Sequence, residues 1–325
     1  MGAFGGLDWR HPIFLIDTVA CVLKNASDQF LGRTAGTFER IQVHWRTDLS
    51  FMYAIRQENE ANEMTAEWRG KWALITGASA GIGVALAKEL AAGGANLVLT
   101  ARRQARLEEL ARELTAKHKI KTSIFTADLA DAAAPEKIYA YTRAQGISIE
   151  LLVNNAGFGA YGELPSVEVS RLLDMVQVNC AAVVHLTRLY LAEMVERRSG
   201  DILILASTAA FQAVPYISTY AATKAFDLLF AEGLAEEMKP HGIRVCALCP
   251  GSTESEFHVV AGQEKFKRKA ETAEKVARTG LKALAAGKSY MISGLGNYLG
   301  AQGERLVPRR MVTRIAAGMF KPRVP

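Results

Sequence analysis

The stretch ITGASAGIGVALA, residues 75–87, sets Gly77, Gly81 and Gly83 at G-x-x-x-G-x-G spacing between an apolar run and a helix-forming run. A strand that turns on glycines straight into a helix is the opening of a βαβ unit. Glycines there permit the tight turn and let backbone approach a pyrophosphate, which rests against the amides and positive dipole of the helix N-terminus. Ser79 and Ile82 belong to the same phosphate-facing turn. The spacing differs from the usual dinucleotide fingerprint G-x-G-x-x-G, and the triphosphatase loop is excluded because no lysine follows the last glycine.

From residue 71 onward apolar strands alternate with longer helical stretches, which predicts a parallel sheet covered on both faces. The strands are WALIT (72–76), NLVLT (96–100), TSIFT (122–126), ELLVN (150–154), DILILAS (201–207) and IRVCALC (243–249), with a short edge strand near SYMIS. The fold class is therefore α/β, a Rossmann-like doubly wound sheet of about seven strands. Half of the 325 residues are hydrophobic, enough to bury one large core with extensions rather than two equal domains. The expected divisions are an N-terminal extension (1–66), a cofactor-binding and catalytic body (67–262) and a helical, basic amphipathic tail (263–325). A helix is expected over 255–288, with Thr272 able to cap its later part.

The extension lacks this strand-and-helix grammar, and three readings stay open for it: a poorly ordered arm or sequence upstream of a start at Met64, a helical arm for a partner or membrane surface, or a functional module. Its apolar run IFLIDTVACVL (13–23) is too short to span a bilayer and carries Asp17 in its middle. The tail mixes Arg305, Arg309, Arg310, Arg314 and Lys321 with Met311, Val312, Ile315 and Met319 at helical spacing, which suits either docking on the body or a neighbouring subunit, or weak contact with a membrane surface. A formal charge of +6, spread along the chain, does not imply nucleic acid. Four cysteines without scaffold spacing fit a reducing, cytoplasmic setting, and Cys246 and Cys249, formally C-x-x-C, fall in a strand where residues three apart face opposite ways. No metal ligand set is read.

About twenty positions past the glycine turn, where a carboxylate would take the ribose 2′-hydroxyl of NAD, the chain reads LVLTARRQAR (97–106). Arg102, and with it Arg103, suits a 2′-phosphate instead, so the expected cofactor is NADP(H). Further on, Tyr220 and Lys224 stand four apart in STYAATKAF. If 219–232 is helical they share a face, and the ammonium can stabilise a tyrosinate, lowering a phenol pKa otherwise near 10. Ser207, ending a strand, can hydrogen-bond a substrate oxygen while the phenol donates a proton to it.

These residues resemble the short-chain dehydrogenase/reductase family over about Gly70 to Ser255. The marks are TGASAGIG (76–83), ADL (127–129), NNAG (154–157), Asn179 in VQVNC, Ser207, Tyr220 and Lys224 thirteen and seventeen residues later, and PG at 250–251. The pattern is most similar to the NADP-preferring branch of 3-oxoacyl and hydroxysteroid reductases. The resemblance implies that Asn179 holds a water linking Lys224 to solvent and that Lys224 binds the nicotinamide ribose. It places Asp128 and Leu129 at the adenine and Asn155, Ala156 and Gly157 along the cofactor. Thr253 and Ser255, after Pro250 and Gly251, fall near the carboxamide, Ser255 standing where threonine is common. It also implies a homodimer or homotetramer assembled through helices flanking the site.

The loops that build the substrate side contribute Phe158, Tyr161, Phe211, Val214, Tyr216, Phe257 and Val259. The expected substrate is a hydrophobic ketone, aldehyde or secondary alcohol. Two competing readings are a catalytically silent NADP-binding regulator or scaffold of the same fold, and a nucleotide-sugar epimerase or dehydratase, whose relatives usually carry a different glycine spacing and a larger C-terminal domain.

Overall fold

The computed structural model describes residues 65–257, 261–262 and 270–322. Readings of the first 64 residues, and of Val259, lie outside them. The strands are β1 (Trp72–Thr76), β2 (Asn96–Ala101), β3 (Thr122–Thr126), β4 (Ile149–Asn154), β5 (Gly200–Leu205), β6 (Ile243–Cys249) and β7 (Tyr290–Ile292). They form one seven-stranded sheet in the order β3-β2-β1-β4-β5-β6-β7, with every pairing parallel. Parallel strands covered on both faces need apolar residues at consecutive positions, which is why β4, β5 and β6 carry the consecutive apolar stretches LLV (151–153), ILIL (202–205) and VCALC (245–249) after a charged residue near each start.

The helices are α1 (Gly81–Ala92), α2 (Gln104–His118), α3 (Ala134–Ala144), α4 (Val169–Val176), α5 (Ala182–Arg197), α6 (Ser218–Met238), α7 (Ala273–Ala285), α8 (Leu295–Gly303) and α9 (Arg309–Phe320). Leu86 and Leu90 of α1, Leu107 and Leu114 of α2 and Val276 and Leu281 of α7 fill one face of the sheet. Ile138 of α3, Leu186 and Met194 of α5 and Leu228 of α6 fill the other. Cys246 and Cys249 belong to opposite cores, so the C-x-x-C spacing joins nothing. Burial pushes the Cys246 thiol up to about 12.

At the N-terminal edge of the sheet Trp68 is buried, and its indole N–H donates to Asp201 Oδ2 at 2.7 Å. Arg244 closes the same node by donating to both Asp201 oxygens and to Glu67. The residues just ahead of β1 are thereby stapled to β5 and β6.

Two expectations are corrected. The strand expected to run through Ser207 ends at Leu205, and Ser207 instead caps a short 3₁₀ turn, Thr208–Phe211. Helix does not fill 255–288 either: α7 begins at Ala273, with Thr272 Oγ1 accepting from the Lys275 amide at 3.3 Å. Ahead of it Glu271 and Thr253 form a parallel bridge. The Glu271 amide goes to Ser252 O and its carbonyl to the Glu254 amide, so the groups a longer helix would use are spent on a strand-like tie.

Candidate active site

The sheet order reverses between β1 and β4, and the crevice this leaves at the strand C-termini is where open α/β sheets bind ligands. A cleft of about 580 Å³ lies there. Its floor is the glycine turn. Gly77 has φ +67°, and a Cβ on it would sit 2.9 Å from Ala156 Cα. Gly83 is held for space: its Cβ would meet Gly77 O at 2.3 Å. Asn155 ties β4 to this turn by donating from Nδ2 to Thr76 O at 2.7 Å, while Thr76 Oγ1 accepts the amides of Asn155 and Ala156, each at 2.9 Å. The residue ahead of α1 is Ala80, so no side chain caps the first-turn amides.

Ser79, Gly81, Ile82, Asp128 and Leu129 line the cleft as expected, as do Asn155, Ala156 and Gly157 from the end of β4. Arg102 and Arg103 line its outer end. Arg102 is largely exposed, 3.9 Å from Asp128, whose Oδ1 accepts the Ala130 amide. Arg103 arches over the turn, donating to Ser79 Oγ and Ser79 O at 3.1 Å and to Glu256 at 2.7 Å. Arg106 joins the same carboxylate at 2.6 Å. Pro250, Gly251, Thr253 and Ser255 complete the wall. Thr253 Oγ1 is turned back to Gly251 O, and Ser255 Oγ to Thr253 O.

On the inner side stand Ser207, Tyr220 and Lys224. α6 starts at Ser218, which sets Tyr220 in its first turn and Lys224 one turn later. Ser207 Oγ accepts the Ala209 amide at 3.1 Å, which fixes the hydroxyl. Lys224 Nζ donates to Leu205 O and to Asp227 Oδ2, the latter at 2.9 Å. Asn179 is wholly buried and sits in a π-helical turn, Gln177–Ala181, between α4 and α5. Its side chain donates to Phe158 O and Thr223 Oγ1 and accepts the Phe158 amide, so it braces the loop after β4. It does not line the cleft with the other three among the described residues, although a Cβ on Gly157 would touch both Asn179 Oδ1 and Lys224 Nζ.

The expected depression of the phenol is outweighed. Burial pushes Tyr220 above its ordinary value, while Lys224 and the neighbouring Ser207 hydroxyl pull it down. For Lys224, burial works against the charge, but Asp227 first and Tyr220 next hold its pKa above the ordinary value. Asp227 is itself pushed up to about 6 by burial, against the pull of Lys224.

Of the apolar residues expected at the substrate, Phe158 and Phe257 line the cleft, and the Phe257 ring lies 5.2 Å from that of Tyr220. Phe211 packs instead against Tyr290, Val214 is in a small core with Ile217 and Ala221, and Tyr216 lies outside the cleft with φ +68°. Tyr161 lies beside that core and donates its hydroxyl to Phe320 O at 2.9 Å. Sequence reasoning missed Phe320 of α9, which lines the cleft from far along the chain, along with Arg171, which stacks over Phe158. It also missed Glu256 and Asp227, each of which resembles an ordinary solvated charge.

Residues 71–265 match the family model described as short chain dehydrogenase. The chain is 36% identical over 212 residues to a very-long-chain 3-oxoacyl-CoA reductase of Danio rerio, covering 64% of this chain and 65% of the relative, so it spans just under two thirds of that protein. A very-long-chain 3-oxoacyl-CoA reductase of Mus musculus is 32% identical over 259 residues, covering 78% of this chain and 80% of its own. Among solved structures, a short-chain dehydrogenase from Sphingobium yanoikuyae in complex with NADPH superposes with a TM-score of 0.68 at 27% identity, covering 78% of this chain and 98% of that one.

Proposed function

From the premise that the chain belongs to the short-chain dehydrogenase family, we propose that it is an oxidoreductase that exchanges hydride between NADP(H) and a hydrophobic carbonyl or secondary alcohol, and in particular reduces the 3-oxo group of long acyl thioesters. The observation that carries this reading is that Ser207, Tyr220 and Lys224 open into the same cleft whose floor is the glycine turn.

The cleft fits the dinucleotide on its own geometry. Side chains at Gly77 or Gly83 would collide with Ala156 and with the Gly77 carbonyl and so distort the turn, α1 presents uncapped amides, and two guanidinium groups flank the outer end where a 2′-phosphate would lie. Bound there, NADPH supplies the hydride. Tyr220 donates its phenolic proton to the carbonyl oxygen, so the substrate gains one hydride on carbon and one proton on oxygen. Ser207 holds that oxygen, and the Lys224 ammonium offsets the charge left on the phenol. Asn179 braces the Phe158 wall, with its backbone and remaining lone pair as the groups that would hold the expected water. In the reverse direction Tyr220 acts as the base.

Phe158, Phe257, Ile217 and Phe320 make the inner wall apolar, which supports a long hydrophobic substrate, as do the names of the relatives. The test is NADPH consumption across 3-oxoacyl thioesters of rising chain length. Tyr220→Phe should lower turnover about a hundredfold or more while NADPH binding persists; an active Tyr220→Phe variant would sink the assignment and favour a silent, regulatory role.

Two surfaces support the expected partners. Val169, Leu173 and Val176 of α4 and Phe226 and Leu229 of α6 are exposed apolar residues beside the site, which supports a homo-oligomer joined there. A Leu229→Glu variant with wild-type mass by light scattering would remove that reading. On α9 the residues Met311, Ile315 and Met319 form an exposed stripe at four-residue spacing. Residues 295–322 carry five Lys or Arg against the one acidic Glu304, which supports peripheral contact with an anionic lipid surface. Among the described residues no helix is long and apolar enough to cross a membrane.

A further inference from the structure

Lys224 is held from behind by a carboxylate that no step above uses. Asp227, three residues on in α6, has no exposed surface, and its Oδ2 lies 2.9 Å from Lys224 Nζ. Its other oxygen, Oδ1, is buried without a hydrogen-bond partner. An ammonium has three protons. Those of Lys224 go to Asp227 and to Leu205 O, which leaves one directed at the cleft beside Gly157.

A half-satisfied buried carboxylate is costly, and an apolar side chain on this part of α6, next to the core residues Leu228 and Ala231, would be cheaper. Its presence therefore points to Lys224. We propose that Asp227 is a positioning residue of this site: it clamps the Lys224 ammonium toward the cleft and, by its charge, sets the pH at which the Tyr220–Lys224 pair gives up a proton. The proposal rests on the oxidoreductase reading for its kinetic consequence but not for its geometry.

Among the described residues, the groups near Asp227 are few. Tyr220 and Lys224 share its helix; Glu232, also on α6, lies toward Cys249. From the π-helical turn comes Cys180, whose thiol burial pushes up to about 11. From β6 comes Cys249, which feels the charge of Lys224 and is likewise pushed up by burial. Both thiols are neutral across the working pH range, and Ser207 and Leu205 at the end of β5 carry no charge.

The sign follows from the charge of the cluster. With Asp227 ionised, neutral phenol, ammonium and carboxylate sum to zero, and loss of a proton leaves a net negative charge in a buried site. With an uncharged residue at 227 the same loss takes the cluster from positive to neutral. The first proton therefore leaves at lower pH, whichever of the coupled pair releases it.

The experiment compares wild type with Asp227→Asn, Asp227→Ser and Asp227→Glu. In the two neutral variants the alkaline limb of reductase kcat/KM, and the acid limb of alcohol oxidation, should move to lower pH by about one unit, a tenfold change in proton affinity. Glu should restore the wild-type limb. The second readout is acylation of Lys224 by acetic anhydride, followed by peptide mass spectrometry against pH, which should begin at lower pH in the neutral variants. Asp227→Ser replaces Asp227→Asn if the latter does not fold. Rates that fall equally at every pH, with unchanged Lys224 labelling, would overturn the proposal. A wild-type protein inert toward every carbonyl, yet with the labelling shift, would instead remove the oxidoreductase reading and leave the clamp standing.

Discussion

Replacing Gly83 with Ala puts one methyl group against the backbone of the phosphate turn. The new Cβ would lie 2.3 Å from Gly77 O and 2.6 Å from Asn155 Nδ2. That is about 1 Å short of ordinary contact between non-bonded atoms. Neither neighbour can yield cheaply, because one is the carbonyl of a φ-positive glycine and the other is already bonded to Thr76 O. Relief must come from shifting the turn, and forced overpacking of this kind costs about 1–3 kcal/mol. If that cost falls on the shape that receives the pyrophosphate, NADPH binding weakens about five-fold to 150-fold. Fluorescence titration with NADPH, alongside a thermal melt, measures it. The control is Gly233→Ala in α6, where an added Cβ meets nothing within 4 Å and helix propensity should raise stability by about 0.8–1 kcal/mol. A Gly83→Ala protein with NADPH affinity within twofold of wild type and an unchanged melt would refute the close-approach argument.

Glu256 neutralises Arg103 and Arg106 together, so Glu256→Gln should release both for a 2′-phosphate. NADPH should bind several-fold more tightly while NADH affinity stays constant; equal changes for the two nucleotides would mean that Glu256 only shapes the loop. Replacing Arg309, Arg310 and Arg314 together by Gln should abolish co-sedimentation with vesicles of mixed neutral and anionic phospholipid at low salt and leave NADPH binding intact. Retained sedimentation, or none in wild type, would argue that the α9 stripe meets protein instead.

The sheet was readable because its strands need no partner to announce them: β1 and β6 are short, largely apolar runs followed by Gly77 and Pro250, and β3 is a β-branched and aromatic run at the sheet edge. The glycine turn and the Tyr220–Lys224 pair were readable for a related reason, since their spacing is local and each residue type is demanded by one turn or one helical face. What failed depended on contacts between distant segments. The bridge from Thr253 to Glu271 cancels a helix that local propensity favours. Phe320 reaches the cleft only because α9 folds back on Tyr161. Asp227 and Glu256 look like surface charges until the cations they face are brought beside them, and three of the five aromatic residues expected at the substrate, Tyr161, Phe211 and Tyr216, lie outside the cleft.

The five-residue turn at Gln177–Ala181 carries a consequence for insertions and deletions. Counting by helical spacing, 169, 173, 176, 180, 183, 187, 190 and 194 would form one unbroken stripe, yet Val169, Leu173 and Val176 are exposed while Val183, Thr187, Tyr190 and Met194 are buried. One extra residue within a helix rotates all that follows by about 100° relative to what came before. The π turn thus acts as a phase shifter on a single rod, letting its first part present a seam outward and its second part lie on the sheet. Excision of Cys180 would therefore leave an ordinary helix with both stripes still facing as they do, whereas one further residue inserted after the turn would rotate Val183, Thr187, Tyr190 and Met194 about 100° away from the sheet.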